Sequence, residues 1–331
     1  MKMQDIAKIA NVSTSTVSRT INNPESVQKE TRDRVLEVIK ELNYKPNLVA
    51  RQFRTREAKV ILVIVPDIAS MFFSKILRSI EQVASANGYK VLLCDTNNDI
   101  NKERAYMDLL EQKQADGVIL LTAKLKKEEV EEVANEFPVV LACEYMDDLD
   151  VPTVYSDSFS SAKEITEHLI HLGHTKIAHI TSHMNSVLGT YRLEGFKAAL
   201  KSHNIAINPD YIQQSDDTNV SGFDQMQALL ALETPPTAVF AFNDEMAIAA
   251  YRAIKEKGLK IPEDVAVAGF DNLEASTYVT PMLTTVNQSR HEIGEKATQL
   301  LLDLIQGKSF KEKKSVVATK LIVRESCGGN R

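Results

Sequence analysis

Five polar residues, Thr14, Ser15, Ser18, Arg19 and Asn22, recur at spacings that share one side of a helix near the start of this 331-residue chain. Short hydroxyl and amide groups beside one guanidinium suit hydrogen bonding to base edges and phosphates. They do not suit proton transfer or nucleophilic attack. Other candidates for chemistry are weaker. Ser158, Ser160 and Ser161 lack a His–Asp constellation alongside them. His168, His171 and His174 repeat at i, i+3, which can imitate a metal site, but they read as surface residues at a helix C-terminus. Cys94, Cys143 and Cys327 are far apart without metal-ligand spacing. The first two sit in apolar runs and are expected to be buried thiols, while Cys327, close to the end, is expected to be exposed. No glycine-rich phosphate loop occurs. No cofactor and no metal are expected, and distance in sequence alone does not exclude a triad around the three serines.

The elements that would carry the five polar residues are three short helices within residues 1–45. The first spans about Gln4–Ala10. Asn11 accepts the left-handed backbone of a tight turn, and Ser13 is a candidate N-cap for a second helix over Thr14–Asn22. Asn22-Asn23-Pro24 stops that helix. Ser26 can cap a third over Gln28–Leu42, where Val35, Val38, Ile39 and Leu42 repeat at helical spacing. Ile6, Ile9, Val12, Val17 and Ile21 are the expected small core, with Ala7 allowing a close helix crossing. Charge supports a nucleic-acid partner at this end. The first 60 residues hold twelve basic and seven acidic side chains, a net of +5 within a chain of net −6, which leaves −11 for the rest.

From residue 60 the pattern changes. Apolar runs at Val60–Val65, Val91–Cys94, Val118–Leu121 and Val139–Cys143 alternate with helical segments at about Ser74–Asn87, Lys102–Gln114 and Lys127–Phe137. The pattern restarts at Lys176–Thr181, Ala238–Phe242, Val265–Phe270 and Leu283–Val286, with a last strand-like stretch at Val316–Val323. Such runs imply two parallel sheets covered on both faces, with a ligand at their carboxyl ends. Residues 47–56 form a basic linker with helical potential that could fold on DNA. No apolar run is long enough to span a membrane, and no secretory signal is seen, so a cytoplasmic protein with no membrane partner is expected.

The stretch from Asp5 to Asn22 closely resembles the headpiece of the lactose/galactose repressor (LacI/GalR) family. The likeness continues through Leu42–Asn47 and Ala50-Arg51, then Leu172-Gly173-His174, Tyr191–Phe196, Pro236–Phe240, Asn243–Ala247, Gly269–Asn272 and Pro281–Val286. It covers nearly the whole chain in order. The fold it implies is α/β: a three-helix helix-turn-helix headpiece (1–46) and a hinge helix or linker (47–58), followed by a two-lobed periplasmic-binding-protein-like body (59–331) with two parallel sheets. One lobe would comprise 60–157 and 289–318, the other 161–285 and 321–331. The resemblance implies that Thr14, Ser15 and Arg19 read bases, and that Thr16, Ser18, Asn22 and Tyr44 hold phosphates. It also places Asn47, Ala50 and Arg51 at the DNA. Phe53 stands where the family usually has the Leu that wedges into the minor groove.

In the body the resemblance implies an effector held by Arg192 and Asp271, with Asn243 as a hydroxyl partner and Asp244 as the cap of the following helix. Phe72 and Phe73 fall where the family places aromatic rings, while Tyr191, Glu144 and Tyr145 could reach the cleft. Asp217 replaces an aromatic residue found in some relatives. Acids at Glu144, Asp217 and Asp271 favour a polyol-like, neutral or cationic ligand. Cys143-Glu144-Tyr145 and Tyr191-Arg192 look like the nucleoside-responsive branch, so sugar and nucleoside both stay open. The function implied is an effector-controlled regulator, most simply a repressor, that binds a palindromic operator in double-stranded DNA as a homodimer. No Leu-repeat extension for tetramerisation follows Ser326. The alternatives are a cytoplasmic solute-binding module and control by a phosphorylated carrier protein; the resemblance implies that the protein is not an enzyme.

Overall fold

The computed structural model describes residues 2–44, 57–146, 148–182, 186–215, 219–310 and 312–329. Residues 47–56 of the expected hinge segment (47–58) therefore lie outside the described residues, Asn47, Ala50, Arg51 and Phe53 among them, as does Asp217. The chain divides into two compact units, Met1–Ala58 and Lys59–Arg331.

The first unit contains helices α1 (Met3–Ile9), α2 (Thr14–Asn22) and α3 (Lys29–Glu41). Ser13 caps α2, its Oγ accepting the Thr16 N–H at 3.1 Å, and Asn11 makes the turn before it at φ 53°. Ile6, Val17 and Val35 are fully buried, with Ala7, Ala10 and Val38 around them. Ile9 was expected in this core but is 58% exposed. In a helix of seven residues Ile6 and Ala10, four apart, make the inward stripe, and Ile9 falls to its solvent side. The expected Ser26 cap is also absent. Ser26 closes a short 3-10 turn, donating its hydroxyl to the Asn23 carbonyl at 2.7 Å, and α3 starts at Lys29 with no side-chain cap.

The second unit opens with β1 (Val60–Val65), α4 (Met71–Ala86), β2 (Lys90–Asp95), α5 (Ile100–Glu111), β3 (Gly117–Leu121), α6 (Lys127–Glu136), β4 (Val139–Cys143) and β5 (Thr153–Ser156). It continues with α7 (Ser158–His171), β6 (Ile177–Thr181), α8 (Val187–Ser202), β7 (Ile212–Gln214), α9 (Asn219–Leu230), β8 (Ala238–Ala241), α10 (Asp244–Glu256) and β9 (Ala266–Ala268). It ends with β10 (Thr285–Asn287), α11 (Arg290–Ile305), β11 (Lys314–Val317) and β12 (Lys320–Ile322). One parallel sheet runs β11-β5-β4-β3-β1-β2, a second runs β7-β6-β8-β9, and β10 pairs antiparallel with β12. Apolar residues cover both faces of each parallel sheet, which is why β1, β3 and β4 carry continuous Val/Ile/Leu runs.

Three connections join the sheets. The chain leaves the first after β5, returns between β10 and α11, and crosses again between β11 and β12. On returning, α11 packs Ile293, Ala297 and Leu301 into the same cluster as Ile76 and Ile80 of α4. Gly294 permits that approach, since a Cβ there would lie 2.6 Å from the Ile76 carbonyl oxygen. The single stretch expected at Val316–Val323 is thus two strands in different sheets. Cys327, expected at the surface, is 3% exposed. The 3-10 turn Glu325–Cys327 tucks it under β9, with Sγ 3.2 Å from His168 Nε2 and 3.1 Å from Thr284 Oγ1. His168 is accordingly half-buried, not a surface residue.

Candidate nucleic-acid face and ligand cavity

On α2 the burial of Val17 and Thr20 fixes which side looks outward. Thr20 is held down by its hydroxyl, which donates to the Thr16 carbonyl at 3.0 Å. Thr14, Ser15 and Arg19 are then exposed, and Thr16 and Ser18 are half-exposed. Ser13 Oγ lies 2.7 Å from Ser15 Oγ and 2.9 Å from Thr16 Oγ1, so these hydroxyls form one hydrogen-bonded cluster at the helix start. The four backbone N–H groups of a helix N-terminus favour negative charge, so this end suits a phosphate. Tyr44 is half-buried against the small core, its N–H donating to the Ile39 carbonyl at 3.0 Å.

In the second unit a cavity of about 340 Å³ lies where the chain first crosses between the sheets. The first lobe contributes Glu144 and Tyr145 after β4, Tyr155–Asp157 at the end of β5, and Val316 of β11. The second contributes Ser158 and Phe159 at the start of α7, and Val187, Leu188 and Tyr191 at the start of α8. The Tyr145 and Tyr191 rings stack across the two lobes with centroids 5.2 Å apart, and Tyr145 also leans on Tyr155 at 4.6 Å. Lys314 Nζ sits 5.0 Å from the Tyr145 centroid. Half-buried Glu144 has its carboxyl pushed up to about 7 by burial, partly offset by Lys124. Ser158 Oγ is buried without a hydrogen-bond partner. The result is an aromatic slot edged by a titratable carboxyl and hydroxyls, which suits a ring bearing hydroxyl groups.

Behind it lies a buried charged network. Arg192 is 2% exposed and its guanidinium sits 3.8 Å from the Phe270 centroid and 4.4 Å from that of Phe242. Its Nη2 is 3.6 Å from Asp271 Oδ1, and Nη1 donates to the Phe242 carbonyl. Burial raises Asp271 to about 6, against the lowering effect of Arg192 and Arg290 and of a hydrogen bond from Gln288. Glu144 and Tyr191 thus meet in the cavity, whereas Arg192 and Asp271 pair with each other nearby. Phe73 is core, 8% exposed, and Phe72 packs edge-on to it at 5.1 Å. Neither ring lines the cavity. Asn243, not Asp244, caps α10: its Oδ1 accepts the Met246 N–H at 2.8 Å. Asp244 is fully buried and accepts from Leu273 N and Thr285 Oγ1, which corrects the expected capping role. Among the cavity residues missed from sequence, Tyr155, Ser156 and Val316 lie on β5 and β11, which were not recognised as separate strands, while Asp157, Ser158 and Phe159 follow β5 into α7, and Val187 and Leu188 open α8.

No group of three or more His, Cys, Asp or Glu that could hold a metal occurs among the described residues. No helix among them is long and apolar enough to cross a membrane.

A helix-turn-helix unit joined to a periplasmic-binding-protein-like body defines a DNA-binding transcription regulator. Residues 2–47 match the bacterial regulatory proteins of the lacI family, and residues 58–324 match the periplasmic binding proteins and sugar binding domain of LacI family. The chain belongs to the LacI family. It is 41% identical over 325 residues to the HTH-type transcriptional repressor CytR of Escherichia coli (strain K12), covering 98% of this chain and 95% of that protein. It is 36% identical over 326 residues to the repressor PurR of Histophilus somni (strain 129Pt), covering 98% of both. The lac repressor dimer bound to operator and the anti-inducer ONPF matches with TM-score 0.90 at 29% identity, covering 99% of each chain. A complex of the transcriptional regulator CelR with cellobiose matches with TM-score 0.75 at 29% identity, covering 98% of this chain and 99% of that one.

Proposed function

We propose that this protein is a cytoplasmic repressor that binds a two-fold operator as a homodimer and responds to a neutral, hydroxyl-bearing ring compound, a nucleoside or a sugar. Residues 1–46 act as the reading head and 47–58 as the hinge. Thr14, Ser15 and Arg19 meet base edges, while Thr16, Ser18, Asn22 and Tyr44 meet phosphates. Arg19 supplies the guanine contact, for which a guanidinium fork is the matching group. Asn47, Ala50, Arg51 and Phe53 engage the minor groove. One headpiece covers a half-site, so two copies read a palindrome.

The observation that supports effector control most directly is the cavity itself, walled by both lobes and crossed by the Tyr145–Tyr191 stack. A ligand there touches both lobes at once and so biases their relative position, which couples the site to operator affinity. Glu144 and Tyr191 contact the ligand, and the Arg192–Asp271 pair orients it from behind. Phe72, Phe73, Asn243 and Asp217 are kept as candidate contacts by resemblance to the family alone. The test selects a duplex from random sequence with the full-length protein, then titrates it with cytidine, adenosine and cellobiose present. A palindromic consensus and a change in affinity with one of these are expected. Selection of no two-fold sequence would overturn the operator reading, and indifference to nucleosides and sugars alike would overturn the effector reading.

A further inference from the structure

Arg290 is the first residue of α11, reached straight after Ser289, which turns the returning chain at φ 48°. Its side chain is 4% exposed. Nη1 donates to the carbonyls of Met71 at 3.2 Å and Phe72 at 3.3 Å, in the first turn of α4 in the first lobe. Nη2 donates to the carbonyl of Asn272 at 2.9 Å, in the second lobe. One planar fork thus holds both lobes by their backbones. A lysine ammonium cannot reproduce that pair of directions.

The segment it grips in the second lobe is strained. Asp271 has φ 109° and Asn272 has φ 50°. A non-glycine backbone in that region persists only where its surroundings over-determine it. Here the Asn272 N–H donates to Thr285 Oγ1 at 3.2 Å, its Oδ1 accepts from Arg324 Nη2 at 2.8 Å, and its Nδ2 donates to Asn287 Oδ1 at 3.3 Å. Asp271, on the same turn, bears the Arg192 pair behind the cavity. A second, exposed bridge, Lys75 to Glu274 at 3.4 Å, joins α4 to the 3-10 turn Glu274–Thr277 just after that segment.

We infer that Arg290 is a positioning residue that transmits the state of the Asp271–Asn272 turn to the first turn of α4, so that the effector cavity and the first lobe move as one. Arg290 is not part of the cavity lining; besides its backbone partners it lies 5.9 Å from the Phe72 ring centroid, and its charge favours the Asp271 carboxylate. The inference rests on the regulator reading above, and the test separates the two.

Arg290→Met and Arg290→Lys are made in the full-length protein. Amide hydrogen exchange is followed in residues 72–77 and 272–276 without added ligand. Exchange about tenfold faster in both segments of Arg290→Met is expected, because local opening there loses its cross-lobe restraint. Unchanged exchange in either segment would overturn the latch. If Arg290→Met does not fold, Arg290→Lys, which keeps the stem and the charge, carries the same comparison. The second arm measures affinity for the selected duplex with and without cytidine, and with and without cellobiose. Each variant should bind duplex alone, and the active probe alone, within about threefold of the parent, while the ratio the probe imposes falls toward one. A parental ratio in Arg290→Met would overturn the coupling role. If neither probe shifts the parent, the effector reading fails for these probes and the exchange arm alone decides the latch.

Discussion

The two units place their chemistry in opposite ways. The headpiece carries it on the outer side of a nine-residue helix, whose inner side gives Val17 to a small core shared with α1 and α3. Position there follows from local sequence: a serine cap, a turn, and the 3.6-residue period decide that Val17 faces in and Arg19 faces out. The body assembles its chemistry inward, from the ends of β4 and β5 and the starts of α7 and α8. Groups there share a cavity through sheet topology. Glu144 among them is half-buried, and burial moves the proton affinity of its carboxyl as a surface site would not. A surface reader can therefore be altered with little effect on folding, while each polar group behind the cavity is also part of what holds the body together.

The largest expected effect that would sharpen this contrast is at Asp244. Replacing it with Ala strands the buried Leu273 N–H and the Thr285 hydroxyl, with an expected loss of about 3 kcal/mol. Urea denaturation reads this directly, and a loss below about 1 kcal/mol would mean the buried network is not structural. His179 gives an effect of similar size that appears only with pH. Stacked between Phe196 and Phe240, it is pushed down to about 4 by burial. A depressed histidine is neutral in the fold, so its stabilisation is complete above the ordinary value and is lost as pH falls from about 6.5 through 4. The linked difference is about 3 kcal/mol. His179→Leu should lose correspondingly less stability than the parent between pH 7 and pH 4, and parallel pH profiles would contradict this.

Glu144 tests the cavity rather than the core. Its carboxyl is raised from the ordinary 4.5 to about 7, so the fold prefers the protonated form and this contribution to stability is lost as pH rises through 7. An effector hydroxyl donates better to the carboxylate, so binding by the active compound should tighten by up to about tenfold from pH 6 to pH 8. Glu144→Gln should bind with no such slope, measured by titration calorimetry. A retained slope would place the titrating group elsewhere. The smallest effect is local to the headpiece. Ser13→Ala removes the α2 cap and should cost about 1 kcal/mol. The loss should appear in the exchange rates of α2 and leave those of the body unchanged.

Much of the architecture was legible because the strongest signals were local. Val60–Val65 and Val139–Cys143 are six- and five-residue apolar runs that match β1 and β4 residue for residue, and α2 matches from cap to last turn. The unread parts lacked such a signal. β5 and β7 are short edge or near-edge strands with polar residues, and β11 and β12 are separated by only two residues although they belong to different sheets. Without β5 the cavity wall at Tyr155–Asp157 had no reason to be noticed. The capping role falls to Asn243 and not to Asp244 because both are good caps, and only the approach of Leu273 and Thr285 to the Asp244 carboxyl decides between them. Cys327 lies four residues from the end, yet it is buried because its 3-10 turn packs beneath β9.

The reading side of α2 is the claim on which the account turns. Affinities of the parent and of Arg19→Ala should be measured for the selected palindrome and for random duplex at one fixed salt concentration. The account predicts that the ratio between the two duplexes falls about ten- to a hundredfold in the variant, matching the loss of about 1–3 kcal/mol of base discrimination, while thermal unfolding is unchanged. A ratio equal to the parent's, with both affinities merely weakened together, would show that Arg19 grips phosphate only and would contradict it.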